Sequence, residues 1–173
     1  MEGSLQQPWY LQPCMNHYRS SNLGDSIILI NNLRQEDKQE VEGTGQTVLD
    51  LPLLVAGSNH ATTFFSPKGP LAGMAGIVDQ SYGSGQIWML CTPAIFDAKI
   101  LFIRQARRWL KDIEPNYTFL WNWADTRNHM HHKLLKHLGF KAIRTAPIGP
   151  DNLPYFEIIK LCASQQQPFR QPP

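Results

Sequence analysis

Four histidines in one short stretch are the side chains of this sequence best suited to bind a metal or to transfer a proton. They are His129, His131, His132 and His137. On a helix, His129 and His132 share a face, whereas His131 points elsewhere. A metal site needs a third and a fourth ligand with supporting contacts, and none is evident nearby in the sequence. We interpret the histidines as helix-surface or partly buried residues and predict no metal.

A row of cations precedes the histidines, on a segment whose apolar residues recur at helical spacing. The row consists of Arg104, Arg107, Arg108 and Lys111. It could face a phosphate backbone or an acidic partner, but such a row is typical of the solvated face of an amphipathic helix. The formal net charge is only +2, which provides no general attraction to polyanions. Nucleic acid is therefore not predicted as a partner.

The two ends of the chain differ from its middle in composition. Residues 1–24 mix polar with a few large apolar residues and lack periodicity, so we predict an irregular N-terminal arm. Residues 25–162 form the predicted domain, and 163–173 are a Gln/Pro-rich tail with too little apolar surface to become ordered alone. The arm either docks on a partner or folds back over the domain. Its candidate partner contacts are Trp9, Tyr10, Leu11 and Tyr18.

The sequence has no feature typical of a membrane or secreted protein. No apolar run approaches the roughly 20 residues of a membrane span, and the N-terminus has no signal segment. Cys14, Cys91 and Cys162 are widely spaced and odd in number, which favours reduced thiols, with Cys91 in the core. We therefore predict synthesis in the cytosol and no membrane contact.

The elements that must position these residues alternate in type along the chain. Hydrophobic periodicity and turn residues predict an α/β (α+β) domain with a mixed, mostly antiparallel sheet flanked by helices. The order is β-α-α-β-β-β-α-β-α-β-β. The predicted strands are residues 26–30, 61–65, 71–80, 86–91, 117–123, 140–144 and 155–161, and the predicted helices are residues 33–42, 47–56, 95–113 and 128–138.

This element order resembles that of the GNAT acetyltransferase superfamily. The most specific local match is to the family pattern Asn-x-x-Ala-x-x-x-Tyr-x-x-x-Gly-Phe, in which Asn128, Gly139 and Phe140 occupy the Asn, Gly and Phe positions. The resemblance covers residues 26–161. It implies a GNAT-like sheet in which the fourth and fifth strands separate, and it supports the fold more than the function.

The GNAT resemblance also implies a turn that binds the diphosphate of acetyl-CoA, with the pattern Gln/Arg-x-x-Gly-x-Gly/Ala. Residues 92–99 stand at that place and contain no glycine, arginine or glutamine. Pro93 removes one backbone donor, and Asp97 adds a negative charge where the ligand would carry its own. The sequence therefore predicts a closed site, no bound cofactor and no acetyl-CoA binding.

The acid and the base of the family's reaction are also missing from their expected positions. The tyrosine that would protonate the thiolate is replaced by Leu135, which has no proton to give. No carboxylate lies on the predicted fourth or fifth strand. Asp125 follows the fifth strand and could serve as a base, but a turn or helix-start role is favoured. We predict no catalytic residue.

A second resemblance is to the internal virion protein encoded by gene thirteen of T7-like podophages. It is carried by the run Leu-Trp-Asn-Trp from Leu120, by Asn128, and by the His-rich helix with its following glycine. The resemblance implies a non-catalytic structural or morphogenesis component of a tailed-phage particle. Other virion proteins, or copies of this chain, would be its partners, in the virion and in host cytoplasm during assembly. The alternative is a divergent GNAT-type N-acetyltransferase that uses acetyl-CoA.

Overall fold

A seven-stranded mixed sheet with helices on both faces forms the part of the chain that the computed structural model describes, residues 17–162. The strands are β1 (Tyr18–Ser20), β2 (Asn59–Phe65), β3 (Leu71–Asp79), β4 (Ser84–Cys91), β5 (Phe119–Asp125), β6 (Lys141–Ile148) and β7 (Leu153–Leu161). The helices are α1 (Leu23–Asn32), α2 (Gln35–Gly43), α3 (Leu51–Ala56), α4 (Lys99–Ile113) and α5 (His129–His137).

The strand order is β1-β2-β3-β4-β5-β7-β6, and every neighbouring pair is antiparallel except β4 and β5. The parallel pair is short, because only Ser84 to Gln86 are in register with Phe119 to Trp121. Beyond that point β4 stays paired with β3, whereas β5 stays paired with β7. The predicted mixed sheet with a separated fourth and fifth strand is confirmed.

Apolar residues on the two faces of the sheet form two separate clusters, because side chains alternate between the faces along each strand. On one face Phe64 and Ile77 pack with Trp109 of α4. On the other, Met74 and Trp88 pack with α1 and α3. The helices are thus held against the sheet by the burial of these large side chains, which is the main stabilising term in such folds.

The first predicted strand, residues 26–30, is wrong, because this apolar run lies inside α1. A capping box starts the helix: the Asn22 side chain accepts from Asp25 N, and the Asp25 side chain accepts from Asn22 N. Leu29 is fully buried while Ile27 and Ile28 are more than half exposed, so the run has the burial pattern of a helix face.

The first strand is instead β1, which lies inside the segment predicted to be an irregular arm. Tyr18 to Ser20 pair with Phe64 to Thr62 on β2. The ordered domain therefore begins before residue 25, because these three residues satisfy their backbone groups on the edge of the sheet. The rest of the predicted arm, residues 1–16, and the predicted tail, residues 163–173, lie outside the described residues. No helix within the described range is long and apolar enough to cross a membrane.

Candidate functional site

The separation of β4 from β5 opens a cleft of about 260 Å³ in the sheet. Asn122 lies where the strands part: its Nδ2 donates to the carbonyl of Ile87 at 2.7 Å, and its Oδ1 accepts from Gln86 at 3.2 Å. The Asn122 side chain thus takes the place of backbone hydrogen bonds between β4 and β5 at this position, and beyond it the strands diverge. The cleft is lined on one side by β4 and on the other by Trp123 and the apolar residues of α5.

Part of the β4 edge that faces the cleft makes no hydrogen bonds to a neighbouring strand within residues 17–162. The carbonyl of Ile87 accepts from Asn122, and the N–H of Cys91 donates to Asp37 Oδ2 at 2.9 Å. Alternation along a strand places the N–H and C=O of Met89 on the same edge, between these two bonded positions. Within residues 17–162, no strand pairs with this edge beyond Gln86. An extended amide in the cleft could therefore hydrogen-bond Met89 as an added strand would.

A buried polar cluster closes one end of the cleft. Asn128 caps α5 by accepting from the N–H of His131 at 3.2 Å, and its Nδ2 donates to Glu40 at 2.7 Å and to Asp37 at 3.1 Å. Both carboxylates lie on one face of α2, three residues apart. The capping residue of one helix therefore fixes the acidic face of another, so the cluster is satisfied although it is almost fully buried.

The centre of this cluster is an ion pair between His131 and Glu40. His131 Nδ1 lies 3.1 Å from each Glu40 oxygen. Burial is the largest single effect and lowers the pKa of His131, but the charge and hydrogen bond of Glu40 together with the charge of Asp37 outweigh it, so the pKa is raised. Burial raises and His131 lowers the pKa of Glu40, and the net direction is down. Glu40 therefore favours the protonated form of His131 and accepts from Nδ1–H, while Nε2 faces the cavity, since no group within residues 17–162 hydrogen-bonds Nε2.

A groove of about 300 Å³ lies between α4 and α5 and meets the cleft at His131 and Leu134, which line both cavities. Its walls are apolar, with Phe102 on α4 and Met130 on α5 among them. Its basic lining residues are Arg34, Lys99, Lys133 and His137. Cleft and groove are therefore adjacent, both have mostly apolar walls, and the basic residues belong to the groove.

The connection from β4 to α4, where the sequence predicted a closed site, is a short 3₁₀ turn over Pro93–Ala98. The segment contains no glycine. Asp97 does not act as expected, because its carboxylate pairs with Lys68 at 3.3 Å and it does not line the groove. Its charge is therefore neutralised at the surface rather than placed in the way of an anionic ligand.

The predicted arm contacts are separated by the structure. Trp9, Tyr10 and Leu11 lie outside the described residues. Tyr18 belongs to β1, and its ring lies 5.6 Å from that of Phe64. Its ring therefore packs against the domain's own core.

The other sequence candidates lie near the cleft but have different roles. Asp125 is buried, and its carboxylate binds Arg127, which supports the predicted turn role. Leu135 lines the cleft, so the motif position that carries a tyrosine in the family faces the expected place without a hydroxyl. His132 Nε2 donates to the backbone carbonyl of Asp125 at 2.7 Å, and His129 is exposed. Among residues 17–162 no group of three potential metal ligands is found.

Sequence reasoning missed Glu40, Arg34 and the pairing of His131 with Glu40. Glu40 and His131 are 91 residues apart, so no local pattern joins them. The one available signal was the pair Asp37 and Glu40 on one helix face. Cys91 was correctly placed in the core, and burial raises the pKa of its thiol well above the usual value. Its thiol is therefore neutral and no candidate nucleophile.

No family model and no curated protein sequence matches this chain. Its fold does match solved structures. Spermidine N-acetyltransferase from Vibrio cholerae, in complex with CoA and spermine, has a TM-score of 0.64 at 12% identity, covering 85% of this chain and 95% of that one. An acetyltransferase of the GNAT family from Bacillus anthracis has a TM-score of 0.63 at 14% identity, covering 83% and 93%. AAC(6')-Ib in complex with ribostamycin and coenzyme A has a TM-score of 0.59 at 17% identity, covering 83% and 92%.

These neighbours establish that the chain has the GNAT fold. They also contradict the prediction of a non-catalytic phage component, because all three are acetyltransferases and two were solved with coenzyme A. The predicted absence of enzymatic activity is wrong for the same reason. The resemblance to internal virion proteins, the virion partners and the location are untouched by these comparisons and stay predictions.

Proposed function

We propose that this protein transfers an acyl group from an acyl-CoA, such as acetyl-CoA, to an amine. The observation that carries the proposal is the adjacency of two cavities, the cleft between β4 and β5 and the groove between α4 and α5, which share His131 in their walls beside Glu40. A long, amide-containing arm ending in a thioester fits the cleft, with its anionic nucleotide at the basic groove. The GNAT fold of known acetyltransferases supports the same function.

The residues present fit a coenzyme A thioester in two respects. The free N–H and C=O of Met89 match the amides of the pantetheine arm, and the basic groove matches the phosphates. The missing glycines of residues 92–99 mean that backbone donors contribute less here than in the family pattern. When bound, the thioester supplies the activated acyl carbon.

His131 is the residue that accepts and donates the proton in the proposed reaction. The amine nitrogen attacks the thioester carbon, the new C–N bond forms and the C–S bond breaks. The surplus ammonium proton passes to Nε2 of neutral His131 and then to the departing thiolate, so one residue acts as base and as acid. Glu40 orients the ring through Nδ1 and stabilises the charged form. This role compensates for Leu135, which cannot give a proton.

Release of coenzyme A thiol tests the proposal. Purified protein is mixed with acetyl-CoA and a panel of primary amines, including polyamines and aminoglycosides, and thiol is measured with a chromogenic disulfide. We expect turnover with at least one amine, and a loss of about 100-fold in kcat for His131→Gln. His129→Gln is the matched control, since His129 is exposed on the same helix. The absence of acetyl-CoA binding at millimolar concentration would refute the function itself.

A further inference from the structure

Arg34 is a buried cation whose hydrogen-bonding capacity is unused. Its side chain is 6% exposed, and neither Nε nor Nη2 has a hydrogen-bond partner. Two carboxylates lie near it without accepting a hydrogen bond: Asp37 Oδ1 is 3.6 Å from Nη1, and Glu36 Oε2 is 3.5 Å from Nη2. Leaving buried donors of a charged group unpaired is costly, so the site lacks an acceptor.

The position of Arg34 is fixed by its backbone. Its N–H donates to the carbonyl of Cys91 at 2.9 Å, which holds the connection between α1 and α2 against the end of β4. The side chain reaches from there into the groove, of which it is a lining residue. Nε and Nη2 are covered by protein atoms, so the guanidinium forms part of the groove wall and presents its charge, rather than these two donors, to the cavity.

Lys99 approaches the same place from the first residue of α4. The side chains of Arg34 and Lys99 both lie over the ring of Phe96, with their charged groups 5.4 Å and 5.0 Å from its centroid. The ring thus contacts both cations, and all three residues line the groove. The positive end of the α4 dipole adds to their field. Two cations and a helix N-terminus that border one groove favour an anion in it.

No carboxylate of the groove region is free to be that anion. Asp97 pairs with Lys68, and Glu40 pairs with His131. Glu36 is 56% exposed and touches only one edge of the guanidinium, while Asp37 is occupied by Asn128 and the N–H of Cys91. Arginine and lysine side chains are common phosphate ligands, because their positive charge matches that of the anion in magnitude and opposes it in sign. A ligand phosphate is the anion that these two charges fit.

We propose that Arg34 and Lys99 form a side-chain clamp for the diphosphate of coenzyme A. The clamp takes over the task that the glycine-free turn over Pro93–Ala98 cannot perform with backbone N–H groups. This inference rests on the proposed function, and it assigns the phosphate contacts to side chains from two different elements. The affinity for the coenzyme then depends on these two charges and weakens with salt.

The test compares ligands with and without phosphates by calorimetry on the full chain. The probes are acetyl-CoA, S-acetylpantetheine and inorganic pyrophosphate. We expect Lys99→Met and Arg34→Met each to weaken acetyl-CoA binding by about 10- to 100-fold, and to leave S-acetylpantetheine within about twofold. Lys111→Met is the control, since Lys111 is an exposed residue of the same helix that does not line the groove. Thermal unfolding identifies a variant that fails to fold, and Lys99→Met alone then decides.

The outcomes separate this proposal from the function on which it rests. If wild-type protein binds acetyl-CoA and the two variants bind it equally well, the clamp is refuted and the function is retained. An equal loss for acetyl-CoA and S-acetylpantetheine also refutes the clamp, because the phosphates are then not what the residues contact. Pyrophosphate binding that depends on Arg34, without acetyl-CoA binding, would overturn the proposed function and leave a phosphate site.

Discussion

Replacing Glu40 by Gln removes the counter-ion of His131 with almost no change in shape. Glu40 is 8% exposed, so water cannot take the place of its charge. The variant keeps a carbonyl oxygen for one of the two side chains that donate to Glu40, Asn128 at 2.7 Å and His131 at 3.1 Å. The NH₂ group of the glutamine then faces the second of these two donors. One hydrogen bond to an ionised group is therefore lost and one donor is left facing a donor.

The size of the effect follows from these contacts. A hydrogen bond to a charged group contributes about 1.5–3 kcal/mol, and breaking a buried charge pair costs about 3–5 kcal/mol. Because one acceptor survives, we expect Glu40→Gln to lower the free energy of unfolding by about 3 kcal/mol at pH 6. The loss should be smaller at higher pH, when His131 is neutral.

The direction of the pH dependence follows from the pKa of His131. In the wild type this pKa is raised above 6.5, so the stabilisation by protonated His131 is complete below pH 6.5 and is lost as the pH rises through the folded-state pKa. Without Glu40, burial and the nearby Arg34 lower this pKa, and only Asp37 opposes them. The stability difference between wild type and variant should therefore shrink as pH rises, by at most about 1.4 kcal/mol per pH unit.

Urea unfolding at several pH values between 5.5 and 8.5 measures this difference. The control is the same substitution in a His131→Gln background, where the difference should not change with pH. A wild-type difference that stays constant over this range, or grows with pH, would show that His131 and Glu40 are not coupled as the structure indicates. The same titration in the acyl-transfer assay should show the activity of the wild type rising with pH, because only neutral His131 accepts a proton.

Three further substitutions, the first with a control, test the turn at Gly149, the buried polar cluster and the start of α1. Gly149→Ala would place a Cβ 1.9 Å from the backbone oxygen of Gly43, so we expect a loss of more than about 3 kcal/mol in urea unfolding, whereas Gly69→Ala, with open space around it, should lose about 1 kcal/mol. Asn128→Asp adds a third carboxylate to the buried cluster, and its melting temperature should fall at pH 7 and partly recover at pH 5, as carboxylates become protonated. Asp25→Ala removes a helix cap and an ion pair with the half-exposed Arg19, which should cost about 2–4 kcal/mol by chemical unfolding. The pKa of Asp25 is lowered against the effect of burial by its arginine partner, so the wild type should lose this contribution as pH falls below about 3.8.

Much of the fold could be read from local patterns. The helix predicted at residues 95–113 corresponds to α4, Lys99–Ile113, because its apolar residues recur at the helical period along one face. Gly139 was correctly placed after α5: its φ is 88°, in the left-handed region that a helix end requires. These features depend on residues within a few positions of each other, so the sequence alone carries them.

The error at residues 26–30 shows the limit of that reasoning. A short apolar run fits a buried strand as well as one side of a helix, and periodicity cannot distinguish them. The helix forms because the capping box of Asn22 and Asp25 starts α1. Arg19 and Thr63 then bind Asp25 and hold the helix against β1 and β2. Thr63 is 38 residues away, so this support is visible only after folding.

The sequence by itself determined the order of the elements from α2 onward, the absence of glycines before α4 and the loss of the tyrosine at Leu135. It could not determine the site, because the site is made by contacts across the chain. Glu40 is neutralised by His131, Asp97 by Lys68, and Arg34 by neither of its nearest carboxylates through a hydrogen bond. Whether a charge is paired depends on distances of a few ångströms, since electrostatic energy falls with separation and rises with burial. Only the tertiary structure sets those distances. It places Arg34 and Lys99 beside the turn without glycines, where we propose that their side chains make the phosphate contacts that the backbone of this turn does not.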